Sequence, residues 1–173
     1  MKRLIVSGGV QCLAFSLLTL CVLGQDQQRE TLQAAIPRPP EIGQFFSLKD
    51  GKLIPLQEET KVSASYTFAY DVSIKIKEAE SKVRLDSADK LTFVVHLPDK
   101  FISHYFMYTL KKEKDKRTMK LGDTAKRVLF SAVEYADGYF QLTPKTSLSL
   151  GQYVVFYSGS ANSVDHFFSF EVK

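Results

Sequence analysis

The 173-residue sequence predicts an all-β fold, an immunoglobulin-like antiparallel β-sandwich of about nine or ten short strands. Three observations predict it. From Val62 to Ile76 apolar side chains take every even position while the odd ones are polar except Ala69, the period-two signature of a half-buried strand. Short apolar runs elsewhere are separated by turn signals at Asp50-Gly51, Pro98-Asp99, Asp137-Gly138, Thr143-Pro144 and Leu150-Gly151. No long amphipathic helical pattern occurs.

The chain opens with an export address. Met1-Lys2-Arg3 is a positive start, residues 12–23 form an apolar stretch, and Val22-Leu23-Gly24 precedes Gln25 with residues that a signal peptidase tolerates. Residues 1–24 therefore read as a cleavable signal peptide. An uncleaved anchor over residues 4–23 competes, but Ser7, Gly8, Gly9 and Gln11 interrupt it, and a span needs roughly 20 predominantly apolar residues. Lipidation at Cys21 ranks lower, because the residue before it is Leu20 rather than a small one. The expected location is periplasmic or extracellular, with membrane contact confined to the leader's passage or to a weak surface association.

Removing the leader leaves 149 residues, the size of one ordinary domain. Both cysteines, Cys12 and Cys21, leave with it, so the remaining chain has no disulfide and no thiol for catalysis or metal binding. Loss of Lys2 and Arg3 lowers the net charge from +4 to +2, too little for a nucleic-acid binder by bulk charge.

Residues 25–40 are rich in Gln and end Pro37-Arg38-Pro39-Pro40, a composition that favours extended, unbonded backbone and reads as a tether. The domain follows over residues 41–173. Phe45, Phe46 and Leu48 lead through Asp50-Gly51 into Leu53, Ile54 and Leu56, a tight hairpin. The alternating segment cannot be one straight strand. Residues 62–77 would span about 53 Å, beyond the roughly 36 Å diameter of a globule this size. A bend or bulge near residues 69–71 is expected, giving two strands that keep one face inward, or a projecting arm. Further strands are expected at 90–97, 105–111, 117–121, 127–135, 138–142, 152–157 and 166–172. Tyr153, at a strand start after Leu150-Gly151-Gln152, occupies a position where many sandwiches carry a tyrosine bonded back across the corner.

Pro39-Pro40-Glu41-Ile42-Gly43, Ser81-Lys82-Val83-Arg84-Leu85, Tyr139-Phe140-Gln141-Leu142-Thr143-Pro144 with Leu150-Gly151-Gln152-Tyr153, and the closing Phe168-Ser169-Phe170-Glu171-Val172 follow one another in order. In this order of turns and strands the chain resembles small secreted bacterial β-sandwich proteins of no assigned function. The resemblance implies fold and export, and it carries no catalytic residues to transfer.

Candidate chemistry is sparse. His96 and His104, with Asp99 between them, could offer zinc ligands, but their spacing across a Pro-Asp turn is not a known ligand pattern. Asp165 and His166 adjoin, and Ser158-Gly159-Ser160 precedes them in an expected loop, yet no nucleophile-elbow pattern appears. Carboxylates for sugar hydrolysis, Glu58, Glu59, Glu78, Glu80 and Glu134, are too many to pair by sequence. From 111 to 117 five bases, Lys111, Lys112, Lys114, Lys116 and Arg117, stand with two acids, and Lys120 lies beyond. That run reads as a charged hairpin tip able to dock on anionic lipid, polysaccharide or an acidic partner. Tyr66, Phe68 and Tyr70 form an aromatic row in phase with Val62 and Ile76, and are expected to lie in the core.

The expectation for function is an exported, non-catalytic module that needs no cofactor or metal and binds a protein or another component of the cell envelope or its surroundings. A small Ser/His hydrolase, or an anionic lipid or glycan binder working through residues 111–117, is the alternative.

Overall fold

In the computed structural model, Asp50 and Gly51 have φ of 49° and 72°, the paired positive values of a tight hairpin turn. Lys49 stands opposite Lys52 across it, joining β1 (Phe45–Lys49) to β2 (Lys52–Pro55). Residues 36–66, 72–86, 90–98, 102–160 and 163–173 are described, and Pro37–Lys173 form one unit. The leader, residues 25–35 and the side chains of the aromatic row at Tyr66, Phe68 and Tyr70 lie outside this description, as does Asp99.

The remaining strands are β3 (Gln57–Glu58), β4 (Val62–Tyr66), β5 (Val72–Ile76), β6 (Arg84–Leu85), β7 (Phe93–His96), β8 (Tyr105–Lys112), β9 (Arg117–Lys120), β10 (Arg127–Val128), β11 (Phe130–Ala136), β12 (Tyr139–Pro144), β13 (Gly151–Ser160) and β14 (Ser163–Val172). Helix is confined to single 3-10 turns at Ile102–His104 and Thr124–Lys126 among the described residues. The fold is thus the expected all-β sandwich of antiparallel sheets. One sheet runs β11-β12-β7-β1-β2; the other runs β3-β14-β13-β8-β9-β5-β4, with β10 on β8 and β6 parallel to β14.

Alternation in β8, β13 and β14 sends side chains to two different cores. Tyr105, Met107, Tyr153, Val155, Phe168 and Phe170 meet Phe45, Phe93, Val95 and Leu142 of the five-stranded sheet. Their rings pack tilted, with centroids 5.2 Å apart for Phe45 and Tyr105 and 5.0 Å for Phe93 and Phe170. The opposite face carries Tyr108, Leu110, Val154, Phe156 and Phe167, which pack with Ile74 and Ile76 of β5 and Met119 of β9. The larger sheet therefore curls. β9 pairs with β8 only at Lys111 and Lys112, and from there β9 and β5 lie over the face that the first core leaves uncovered.

Several elements depart from the sequence reading. The alternating segment reverses fully: β4 and β5 pair antiparallel with Val62 opposite Ile76, so both strands keep one parity on one face. The strand expected at 127–135 divides at the exposed Leu129, where the chain crosses from β10 in one sheet to β11 in the other. Ser158, Gly159 and Ser160 belong to the hairpin β13–β14 and not to a loop. Residues 37–40, expected in the tether, belong to the domain: Pro39 is buried, the Tyr135 hydroxyl donates to the Pro37 carbonyl at 3.2 Å, and the Arg38 guanidinium sits 5.4 Å over the Tyr139 ring. The corner tyrosine behaves as expected, its hydroxyl donating to the Ser149 carbonyl at 2.7 Å.

Tyr105 is buried with no hydrogen-bond partner for its hydroxyl among the described residues. Burial, helped by neighbouring Tyr157, pushes its pKa from 10.0 up to about 12; burial does the same for Tyr135, with a smaller push from Tyr139. A phenol whose folded pKa lies above its unfolded one stabilises the fold fully below the unfolded value, and that contribution disappears as pH rises through the folded value. Stability toward urea is expected to hold up to about pH 10 and then fall toward about pH 12. Tyr105→Phe should flatten that decline, and near neutrality should leave stability unchanged or raise it by about 1 kcal/mol, because an unpaired buried hydroxyl is removed. A Tyr105→Phe variant with the wild-type alkaline profile would contradict this account.

Candidate functional site: a lysine-lined groove

The strand register that builds the second core also lines up polar side chains on its outside. Lys111 stands opposite Thr118, and Thr118 opposite Lys75; beside them Lys120 stands opposite Ser73. Because side chains directly opposite in a sheet share a face, Lys111, Thr118 and Lys75 form one row across three strands, with Ser73 and Lys120 next to it. The turn after β8 adds Glu113 and Lys116, and the segment after β9 adds Asp123 and Lys126. Together they bound a groove of about 750 Å³ whose described lining has five lysines and two carboxylates.

The two carboxylates are already engaged. Glu113 lies 3.4 Å from the Lys116 ammonium and 4.0 Å from that of Lys111, and accepts from the Thr118 hydroxyl at 3.3 Å. Desolvation works to raise the Glu113 carboxyl, but the hydrogen bond and charge of Lys116, the Thr118 hydroxyl and the charge of Lys111 outweigh it and hold it below the ordinary carboxylate range. Asp123 accepts from the Ala125 backbone N–H and caps the 3-10 turn that presents Lys126. Among the described residues no carboxylate makes an ion pair with Lys75, Lys120 or Lys126. Three like charges lining one groove, with no ion-pair partner among the described residues, make it a positive focus for anions.

The basic run read from sequence is divided by this geometry. Lys111 and Lys116 line the groove. Lys112 points to the opposite face, where it pairs with Glu80 and its hydrogen bond and charge hold that carboxyl low. Lys114 is exposed in the turn. Arg117, expected at an exposed tip, is fully buried: it shares its face with Met119 and turns inward from β9. Its guanidinium donates to the Glu59 carboxylate at 2.6 Å, the Ser169 hydroxyl at 2.9 Å and the Glu78 carbonyl at 2.9 Å. Ser169 also donates to Glu59, and the Gln152 side-chain oxygen accepts from Arg117 at 3.4 Å and from the Ser81 backbone N–H at 3.0 Å, so the network ties β9, β13 and β14 to the segment after β3. Arg117 therefore fixes the backbone between Lys116 and Thr118 rather than meeting a ligand itself.

The other candidates do not converge. His96 on β7 stacks on Tyr139 at 4.0 Å and 6°, while His104 ends the 3-10 turn before β8, its ring 6.0 Å from Tyr157. Among the described residues no group of three or more His, Cys, Asp or Glu is placed to hold a metal ion. His166 is the extra residue of a bulge in β14, at φ 54°, between Asp165, which pairs with Tyr157, and Phe167, which pairs with Phe156. Its Nδ1 lies 3.7 Å from Glu58, and both side chains are about half exposed. Glu59 and Glu78 belong to the Arg117 network, and Glu134 accepts from the Gly138 N–H at 2.9 Å.

The sequence reading missed Lys75 and Lys126. Lys75 was visible only as one polar position of the alternating strand, and only the β5–β9 register brings it beside Thr118. Comparison with protein-family models, curated proteins and solved structures found no match, so the groove is read from its own chemistry.

Proposed function

We propose that this chain is an exported, non-catalytic binding module that recognises an anionic macromolecule of the cell envelope or its surroundings through the groove between β8, β9 and β5. The observation that carries the reading is the convergence of Lys75, Lys111, Lys116, Lys120 and Lys126 on one cavity, against two carboxylates, Glu113 and Asp123, among its described lining residues. Among the described residues no aromatic side chain lines the groove, and the recognition proposed rests on charge and on lysine donors. Lysine is a mobile point charge with three donors, suited to phosphate, sulfate or carboxylate groups of varied orientation.

The test is titration with a sulfated polysaccharide and, separately, with vesicles rich in an anionic phospholipid. A lysine near an anionic surface contributes about 1 kcal/mol, so the double variant Lys75→Gln/Lys120→Gln should weaken binding by about 30-fold. Glu113→Gln removes the internal counter-ion and should tighten it. Affinity must also fall steeply as salt rises, since exposed charges are screened within about 8 Å at physiological ionic strength. Binding indifferent to salt and to both variants would refute the reading.

A further inference from the structure

We infer that β11 is a self-pairing edge through which two copies of this chain associate, joining their five-stranded sheets into one. β11 is the end strand of its sheet and has a partner only in β12 among the described residues. Ser131, Ala132, Val133 and Glu134 are exposed in succession, so both faces of the strand, as well as its outer edge, meet solvent. The sheet's other end is guarded: β2 carries Lys52 and Pro55, a charge and a missing N–H that discourage a further strand. β11 has no lysine, arginine or proline, and the carboxylate of its one charged residue, Glu134, is taken up by the Gly138 N–H. An unguarded edge of this kind is a template for pairing.

The hydrogen-bond pattern selects the occupant and its register. The Lys145 N–H donates to the Leu129 carbonyl, so in the antiparallel ladder with β12 the backbone groups of 129, 131 and 133 point inward. This places Pro144, which has no N–H, opposite Phe130 at a pair that makes no ladder bonds. The outward groups are then those of Phe130, Ala132 and Glu134. A bulge between Glu134 and Ala136 ends the regular stretch. A second copy, antiparallel and centred on Ala132, satisfies all of these at once: Ala132 faces its own counterpart, and Phe130 faces Glu134 on either side. No like charges stand opposite one another, and Val133 packs beside Ser131 of the second copy. With no more than five residues paired, the contact is smaller than a permanent interface and should appear only at high protein concentration.

The experiment is sedimentation of the purified chain from micromolar to near-millimolar concentration, with Ala132→Lys beside it. A reversible dimer is expected, and it should be lost in Ala132→Lys, which sets two lysines opposite each other at an exposed site. In a Cys12→Ser/Cys21→Ser background, Ala132→Cys should form a disulfide-linked dimer under mild oxidation, since paired strands bring the two Cα atoms to about 5.5 Å. This second variant keeps the test open should the lysine variant fold poorly. A chain that stays monomeric throughout, a dimer that survives Ala132→Lys, or an Ala132→Cys chain that does not cross-link would overturn the inference.

Discussion

Replacing Arg117 by methionine is expected to destabilise the domain by about 3–5 kcal/mol, because it leaves a buried carboxylate without its cation. The Arg117 side chain is wholly buried, and that of Glu59 is 3% exposed. With the guanidinium gone, the Glu59 carboxylate retains the Ser169 hydroxyl as its one partner among the described residues, while the Glu78 carbonyl, Ser169 and the Gln152 side-chain oxygen each lose a donor. Methionine fills much of the volume, so the loss is electrostatic rather than a cavity. The melting temperature should drop by about 10 °C or more, at a few degrees per kcal/mol for a domain of this size. Removing both ions tests the cause: Glu59→Leu/Arg117→Met takes away the stranded charge, and its cost should be well below that of Arg117→Met alone. Urea unfolding of the two variants decides it, and equal losses would show that packing, not the ion pair, is what Arg117 contributes.

How much of this was legible depended on whether the controlling physics was local. The turn at Asp50 and Gly51 was legible because both residues must take positive φ, a property of the residues themselves. The parity of Val62 through Ile76 was legible too, as was the need for a break, since a straight strand outruns the domain. That the break is a full reversal, with Val62 opposite Ile76, is set by β4 pairing with β5, which alternation alone does not specify. The basic run was seen but read as one surface. In strand geometry neighbours oppose one another, and Arg117, Met119 and Leu121 share one parity, so the burial of Arg117 was written in the alternation with Met119. The buried acid that makes it tolerable, Glu59, lies just after β3, far along the chain, and was one of five carboxylates with nothing to single it out. Lys75 reaches the groove through the β5–β9 register, and Lys126 through the 3-10 turn that follows β9.

Gly138→Ala should cost about 3 kcal/mol, where the same change at Gly51 should cost only about 1 kcal/mol. Both glycines have positive φ, 70° and 72°, so the backbone strain of adding a side chain is common to the two. Their surroundings differ. A Cβ at Gly51 meets nothing within 4 Å, whereas one at Gly138 would lie 2.9 Å from the Pro98 Cα and 3.2 Å from the Pro98 nitrogen. Those are main-chain atoms, which cannot rotate away, so the turn between β11 and β12 must move off the end of β7, at a further cost of about 1–3 kcal/mol for overpacking. The movement strains three contacts at that end of the sandwich: the Leu97 N–H to the Gly138 carbonyl at 2.6 Å, the Gly138 N–H to Glu134, and the His96–Tyr139 stack. Tyr139 also lies under Arg38, so the packing of residues 37–39 on the sheet should loosen with it. Urea unfolding gives the two stabilities, and the His96 ring proton shifts report the stack. Equal losses at Gly51 and Gly138 would mean that the close approach to Pro98 is relieved without cost and that only the positive φ matters at this turn.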